Sequence, residues 1–88
     1  IAQESNNKET LDAILLLAKT EGIFTEPAGG VSVAVLKKMV EDGKIDKDET
    51  TVCYVTGNGL KATESIMDVL TRPQVMQPDV AKISAVVK

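Results

Sequence analysis

The residues with the greatest potential for chemistry lie at the turn Thr56–Gly59, which directly follows the β-prone run Thr51–Val55. In open α/β sheets, ligands bind beyond the carboxyl ends of the strands, where the connecting loops leave a crevice. Glycines let the backbone approach a ligand closely, and a threonine at the strand end can direct its hydroxyl at that ligand. The same pattern fits a tight turn whose glycines serve only the backbone angles, and from spacing alone this simpler interpretation is the more frequent one.

A second candidate is the segment Glu26–Gly30, which places one carboxylate and several small residues before a predicted helix. Free amides at the start of a helix favour an anion, and Glu26 can serve as an acid/base group or as an orienting acceptor. The alternative is a turn stiffened by Pro27 that leads into a helix, with Glu26 in solvent. Because no complete phosphate-binding motif is present, spacing alone favours this alternative.

Three other features carry less chemistry. Cys53 lies inside an apolar run, where an inert buried thiol is more common than a reactive thiolate. Lys61 could bind a phosphate group, but a solvated lysine is the simpler interpretation. The acidic stretch 41–49 lacks the spacing of a calcium-binding loop, which predicts a solvated loop instead.

Composition excludes several classes of function. The chain has 88 residues with no histidine and one cysteine, so the usual zinc ligands, thiolate clusters and disulfide frameworks are missing and no metal site is expected. The net charge is −3 and the basic residues are scattered, which argues against nucleic acid as a partner. No apolar run is long enough to span a bilayer and no secretion signal opens the chain, so we expect a cytoplasmic protein without a membrane partner.

The elements that must position the candidate residues follow an α/β pattern. Apolar spacing predicts one helix over Leu11–Thr20, capped by Thr10 after an irregular start, and a second from about Gly30 to Asp42. Short extended runs are predicted at 23–25 and at Thr51–Val55. The second run is almost continuously β-prone, which suits a strand covered on both faces in a parallel sheet. This order of helices, strands and a glycine turn predicts the α/β class.

The pattern is weaker in the last third of the chain. Residues 60–70 can include a third helix with Ile66 on its apolar side. Pro73 and Pro78 predict a connecting segment. Residues 80–87 fit either a strand or a helix.

The two candidate segments together resemble a known family. The run Gly22–Gly30 reads GIFTEPAGG, and Val52–Lys61 reads VCYVTGNGLK. In this order, with a helix between them, they are similar to the C-terminal region of threonine synthases, which use pyridoxal 5'-phosphate (PLP). The Glu-Pro-small-Gly element is shared with threonine and serine dehydratases, whereas Thr-Gly-Asn-Gly-Leu-Lys is more particular to threonine synthases. The resemblance covers Glu21–Glu64.

The resemblance implies a fold and a set of partners. The fold would be the tryptophan-synthase-β-like PLP-dependent fold, in which the cofactor lies in the cleft between two α/β domains. Residues 1–72 would be the C-terminal part of the PLP-binding catalytic domain, a partial large domain, and residues 73–88 a C-terminal tail or linker. The implied partners are the remainder of the same polypeptide and a second copy, since family members are commonly homodimers.

The resemblance also implies a reaction and a site. The reaction converts O-phospho-L-homoserine and water to L-threonine and phosphate, a step of threonine biosynthesis. Thr56 would hydrogen-bond the pyridine nitrogen of PLP, where a hydroxyl, unlike a carboxylate, does not hold a proton on the ring. The wall near the ring would be shaped by Gly57, Asn58 and Gly59. The active-site side of the same cleft would be lined by Glu26, Pro27, Ala28 and Gly29.

No catalytic residue is expected within these 88 residues. In the family, the lysine that forms the Schiff base and the glycine-rich loop that holds the cofactor phosphate lie far upstream. None of the nine lysines here has a matching context, so the 88 residues alone are expected to be inactive. The alternatives are a related PLP lyase, such as a threonine dehydratase, and a non-catalytic binding module that retains these loops.

Overall fold

A pair of packed helices forms the main body of the molecule. The computed structural model describes residues 2–71 and 75–87. Helix α1 covers Asn7–Glu21 and helix α2 covers Pro27–Glu41. Two single-turn 3-10 helices and a short third helix, α3, follow at Gly59–Lys61, Thr63–Ser65 and Val80–Val86. No helix in these two ranges has the length and apolar character needed to cross a bilayer.

Helix α1 begins at Asn7, earlier than the predicted start at Leu11. The side chain of Asn6 accepts a hydrogen bond from the Glu9 amide at 2.8 Å, and the Glu9 carboxylate accepts one from the Asn6 amide at 3.1 Å. This capping box satisfies the first amides of the helix. The prediction that Thr10 caps the helix after an irregular start was therefore wrong. Thr10 lies inside the first turn and donates to the Asn6 carbonyl at 2.9 Å.

Helix α2 begins at Pro27 instead of Gly30. Proline suits the first helical position because it has no amide hydrogen to satisfy and its φ is already fixed. Gly29 and Gly30 therefore lie within the first turn, and the Gly30 amide donates to the Glu26 carbonyl at 3.1 Å. The expected start at Gly30 was wrong, because Pro27, Ala28 and Gly29 already belong to the helix. The predicted end is confirmed, since the helix stops at Glu41.

The two helices pack against each other through buried apolar residues and a glycine. Ala13, Ile14 and Ala34 are 3%, 1% and 3% exposed. A Cβ atom added to Gly30 would lie 2.7 Å from Ile14 Cγ1 and 3.0 Å from the Thr10 carbonyl oxygen. A side chain at this position would therefore push α1 and α2 apart.

An ion pair also joins the two helices. Lys38 Nζ lies 2.7 Å from Glu9 Oε2 and donates to the Glu4 carbonyl at 2.8 Å. The hydrogen bond from Lys38, assisted by the Asn6 amide, lowers the pKa of the Glu9 carboxyl below its ordinary value. The start of α1 is thus held both by its own cap and by a side chain of α2.

The predicted third helix over 60–70 does not form. Asn58 Oδ1 accepts from the Leu60 amide at 2.9 Å, and Ser65 Oγ donates to the Ala62 carbonyl at 2.8 Å. Such local side-chain bonds compete with helical hydrogen bonding, and they leave two 3-10 turns in place of an α-helix. Ile66, expected on the apolar side, is buried at 6% exposure.

The run Thr51–Val55 has no regular secondary structure. Val52 and Tyr54 are 74% and 78% exposed, which differs from the expected strand with both faces covered. Within the described residues the only β-type pairing is a single antiparallel bridge between Thr25 and Asn58. The α/β class is therefore not confirmed in the described residues. A strand needs a neighbouring segment to pair its backbone hydrogen-bonding groups, and the run has no such neighbour in the part of the chain that the structure describes.

The structure decides between the strand and the helix that the sequence left open for residues 80–87. Residues 80–87 are helical over Val80–Val86, and the Asp79 side chain caps this helix by accepting from the Ala81 amide at 2.9 Å. Pro78 lies in irregular chain, as the connecting segment predicts. Pro73 and the predicted boundary between residues 72 and 73 lie outside the described residues.

Candidate functional site

The two motif segments meet in the structure, although 31 residues separate Thr25 from Thr56. The backbone pairs at the bridge, where the Glu26 amide donates to the Gly57 carbonyl at 3.3 Å. The Gly59 amide donates to the Phe24 carbonyl at 3.0 Å. These two bonds place the residues at the start of α2 alongside the glycine turn. We call this meeting point, formed by residues 24–29 and 56–59, the junction.

Glycine is required at two positions of the junction. Gly57 has a φ of 78°, a left-handed conformation that residues with a Cβ rarely adopt. A Cβ there would collide with the carboxylate of Glu26, and a Cβ at Gly59 would collide with the ring of Phe24. The close backbone approach allowed by the glycines is therefore to neighbouring side chains of the same chain.

Thr25 is the most deeply buried polar residue of the junction, at 1% exposure. Its hydroxyl lies 3.3 Å from the carbonyls of Glu26 and Gly57, and 3.5 Å from the carbonyl of Thr56. The hydroxyl carries one proton, so it donates to one of these carbonyls at a time, and each contact is longer than the usual O–H···O distance of about 2.5–3.0 Å. A Cβ at Gly29 would collide with this hydroxyl, so the first turn of α2 closes over Thr25.

Thr56 lies at the outer edge of the junction and is exposed. Its carbonyl accepts the long contact from Thr25 at 3.5 Å. Within the described residues, the Thr56 hydroxyl makes no hydrogen bond to another group of the chain. This leaves the hydroxyl able to bind a group from outside the chain.

The side chains of Asn58 and Glu26 contact neighbouring parts of the same chain. Asn58 uses its side-chain oxygen to cap the following 3-10 turn, accepting from the Leu60 amide at 2.9 Å. Glu26 is the N-cap residue of α2, but its side chain makes no capping hydrogen bond. Its partly exposed carboxylate instead lies over Gly57.

The structure therefore brings the two predicted groups of site residues to one place. The first group comes from the start of α2 and consists of Glu26, Pro27, Ala28 and Gly29. The second comes from the glycine turn and consists of Thr56, Gly57, Asn58 and Gly59. Ala28 is exposed, whereas Gly29 and Gly59 are buried.

Sequence reasoning missed the parts of the junction that hold it together. Thr25 and Phe24 were assigned only to a short extended run. Their roles depend on contacts with a segment far along the chain, which no local pattern reveals. A hydroxyl residue directly before the Glu-Pro element was the single available signal.

Lys61 and Cys53, the weaker candidates for a functional role, make none of the junction contacts described above. Lys61 is exposed at the end of a 3-10 turn, and Cys53 is partly buried. Cys53 lines an open groove of about 340 Å³ between α2 and the run Thr51–Tyr54, together with Met39 and Ile45.

Comparison with known proteins decides the family. A family model described as "Pyridoxal-phosphate dependent enzyme" matches residues 2–57, more than half of the chain. The chain belongs to this PLP-dependent enzyme family. The matched range contains α1, α2 and the junction as far as Gly57.

Curated relatives extend the match. The chain is 39% identical over 87 residues to a threonine synthase of Methanocaldococcus jannaschii, covering 99% of this chain and 22% of the relative. It is 43% identical over 86 residues to a threonine synthase of Halalkalibacterium halodurans, covering 89% and 24%. It is 55% identical over 56 residues to a threonine synthase of Bacillus sp. (strain ULM1), covering 64% and 16%.

These matches confirm the resemblance to threonine synthases that the two motifs predicted, and PLP as the cofactor of the family. The chain spans only about a quarter or less of the length of these curated relatives.

The described residues fit one edge of the cofactor. Thr56 offers an exposed hydroxyl without a partner among the described residues, which suits the pyridine nitrogen as an acceptor. The spaces at Gly57 and Gly59 are occupied by Glu26 and Phe24, so they form no open cradle for a phosphate. The site assignments of all eight predicted residues stay predictions.

Proposed function

We propose that this chain is part of a threonine synthase, which converts O-phospho-L-homoserine and water to L-threonine and phosphate. The observation that carries the proposal is the junction, where the Glu-Pro-Ala-Gly and Thr-Gly-Asn-Gly elements meet through the bridge between Thr25 and Asn58. Relatives that match this chain bear the name threonine synthase. The Thr-Gly-Asn-Gly-Leu-Lys element favours this member of the family over the dehydratases.

Each residue of the proposed site has a defined task. PLP, when bound, supplies an electron sink for the carbanion chemistry of the substrate. Thr56 would donate a hydrogen bond to the pyridine nitrogen, which would then carry no proton of its own. Gly57, Asn58 and Gly59 form the wall beside the ring. Glu26, Pro27, Ala28 and Gly29 line the neighbouring side of the cleft.

We further propose that the run Thr51–Val55 is a strand of an α/β sheet completed by the remainder of the polypeptide. Val52 and Tyr54 are mostly exposed here, and the run is rich in β-branched residues, which suit a pleated, covered surface. The tryptophan-synthase-β-like fold implied by the resemblance would provide the missing neighbours.

The same proposal makes the 88 residues alone inactive. Threonine formation would require a lysine that holds PLP covalently, and no lysine here matches the family context of that residue. The lysine and the phosphate-binding loop would come from the remainder of the polypeptide. A homodimeric state rests on the resemblance to the family, whereas a cytoplasmic location stays an expectation from the sequence pattern.

Substrate profiling of the intact enzyme tests the proposal. With O-phospho-L-homoserine as substrate, we expect phosphate release accompanied by L-threonine. Formation of 2-oxobutanoate from L-threonine would instead support a threonine dehydratase. Absence of both activities, in a reading frame without an upstream lysine and phosphate loop, would support a non-catalytic module.

A further inference from the structure

The buried hydroxyl of Thr25 has no role in the proposed reaction, yet it lies beneath the residue that carries the cofactor contact. Its oxygen is 3.5 Å from the Thr56 carbonyl and 3.3 Å from the Gly57 carbonyl. The side chain is 1% exposed, so this donor is sheltered from competing water.

The remaining bonds of the junction do not hold Thr56. The Glu26 amide binds the Gly57 carbonyl at 3.3 Å, and the Gly59 amide binds the Phe24 carbonyl at 3.0 Å. Both bonds lie on the C-terminal side of Thr56. Within the described residues, Thr25 is the one side-chain donor that reaches the Thr56 carbonyl.

Holding the carbonyl of a residue restrains its backbone angle ψ and thereby the direction of its Cα–Cβ bond. The Thr56 carbonyl belongs to the peptide plane between Thr56 and Gly57, and rotation of that plane turns the backbone around the Thr56 Cα atom. Gly57 resists such rotation weakly, because glycine has access to a wide range of backbone angles. A hydrogen bond from a rigid, buried neighbour restores the missing restraint.

We propose that Thr25 is a positioning residue whose buried hydroxyl, in contact with the Thr56 and Gly57 carbonyls, holds the Thr56 hydroxyl in register with the cofactor ring. This proposal rests on the proposed contact between Thr56 and the pyridine nitrogen. Thr25 itself touches neither cofactor nor substrate. Small misplacements of a group that binds at a reacting centre lower the rate strongly.

The shape around Thr25 supports this role. The first turn of α2 passes so close that a Cβ at Gly29 would collide with the Thr25 hydroxyl. The hydroxyl is thereby confined between α2 on one side and the glycine turn on the other. Its three carbonyl acceptors come from both segments, so it connects the Glu-Pro element with the Thr-Gly-Asn-Gly element.

The test uses the intact enzyme loaded with PLP that carries ¹⁵N in the ring. Thr25→Val removes the hydroxyl and keeps the shape of the side chain. We expect the ring ¹⁵N resonance to move in the same direction as in Thr56→Val, and kcat to fall about tenfold with little change in KM. Thr20→Val is the matched control, since Thr20 is exposed on α1 and bonds only its own helix, at 2.7 Å to the Leu16 carbonyl.

A second pair of variants covers the case in which Thr25→Val does not yield loaded enzyme. Thr25→Ser and Thr25→Ala both lack the methyl group and differ only in the hydroxyl. The serine variant is expected to keep the wild-type resonance, and the alanine variant to lose it. If the resonance moves in Thr56→Val but is unchanged in Thr25→Ala, and in Thr25→Val where that variant is loaded, the positioning role is overturned and the Thr56 contact stands. A resonance unmoved in Thr56→Val overturns the contact and the positioning role together.

Discussion

At the scale of single residues, the exposed hydroxyl of Thr56 is the group on which the proposed site depends. In the intact enzyme, Thr56→Ala is expected to lower turnover and to perturb the absorption spectrum of the cofactor. The fold should be largely unaffected, because the Thr56 side chain is exposed and makes no hydrogen bond within the described residues. Steady-state kinetics, the absorption spectrum and the thermal midpoint check this prediction together.

Thr56→Asp provides the contrasting variant. A carboxylate beside the pyridine nitrogen favours a protonated ring, so the balance between threonine formation and side products is expected to shift. Wild-type kinetics and an unaltered spectrum in both variants would remove Thr56 from the site.

The sequence predicted the residues with recognisable types but not the residues that hold them. Thr56 and Glu26 could be proposed because glycine turns and a Glu-Pro element mark them locally. Thr25 could not, because its burial and its carbonyl contacts arise only when segments 31 residues apart meet. Gly57 was expected to make room for a ligand, whereas its space is occupied by Glu26.

At the scale of elements, the start of α1 depends on Glu9, which serves both the capping box and the pair with Lys38 at 2.7 Å. Glu9→Gln keeps a side chain that can complete the cap and removes the charge. We expect the thermal midpoint of the intact protein to fall at pH 7.

The effect of Glu9→Gln should depend on pH in a defined direction. The hydrogen bond from Lys38 lowers the pKa of Glu9 below its ordinary value of 4.5. Stability from a lowered carboxyl pKa is complete above the ordinary value and is lost as the pH falls through the folded-state value. The difference in thermal midpoint between wild type and Glu9→Gln should therefore become smaller below about pH 4.5. Glu41→Gln, which breaks an exposed pair with Lys37 at 3.7 Å, is the control, and a gap of equal size there would contradict the account.

The contact between α1 and α2 yields a second prediction at this scale. Gly30→Ala places a Cβ 2.7 Å from Ile14 Cγ1, and overpacking of this kind costs about 1–3 kcal/mol. Native-state hydrogen exchange in the intact protein should show faster exchange of α1 and α2 amides. Ser32→Ala, on the same helix, is expected to change stability by less than about 0.5 kcal/mol. Equal protection of the amides from exchange in Gly30→Ala and wild type would contradict this prediction, because it would show that α1 can shift to accommodate the methyl group without losing stability.

Helix limits were partly readable from the sequence. The left-handed Gly22 and Gly43 ended α1 and α2 where the pattern predicted. The predicted starts of both helices were wrong, because the signals that set them lie outside the apolar stripe. These signals are the capping box of Asn6 and Glu9 for α1 and Pro27 for α2. The third helix over 60–70 failed because Asn58 and Ser65 bond the local backbone instead.

At the scale of the whole molecule, the chain has little interior of its own. Its radius of gyration is 17.3 Å, whereas a compact domain of this length would have about 12 Å. Four apolar residues are buried among those described, namely Ala13, Ile14, Ala34 and Ile66. Several valines are mostly exposed, among them Val52, Val75 and Val80, as expected for elements whose neighbours belong to a larger fold.

The most direct test of the proposed function follows the oxygen atoms of the reaction. The substrate carries its phosphate on Cγ and the product carries its hydroxyl on Cβ, so the product hydroxyl must come from water. When the intact protein acts on O-phospho-L-homoserine in ¹⁸O-labelled water, we predict equal amounts of labelled L-threonine and unlabelled phosphate by mass spectrometry. Homoserine with labelled phosphate, which simple phosphate ester hydrolysis would give, or no product at all, would contradict the account.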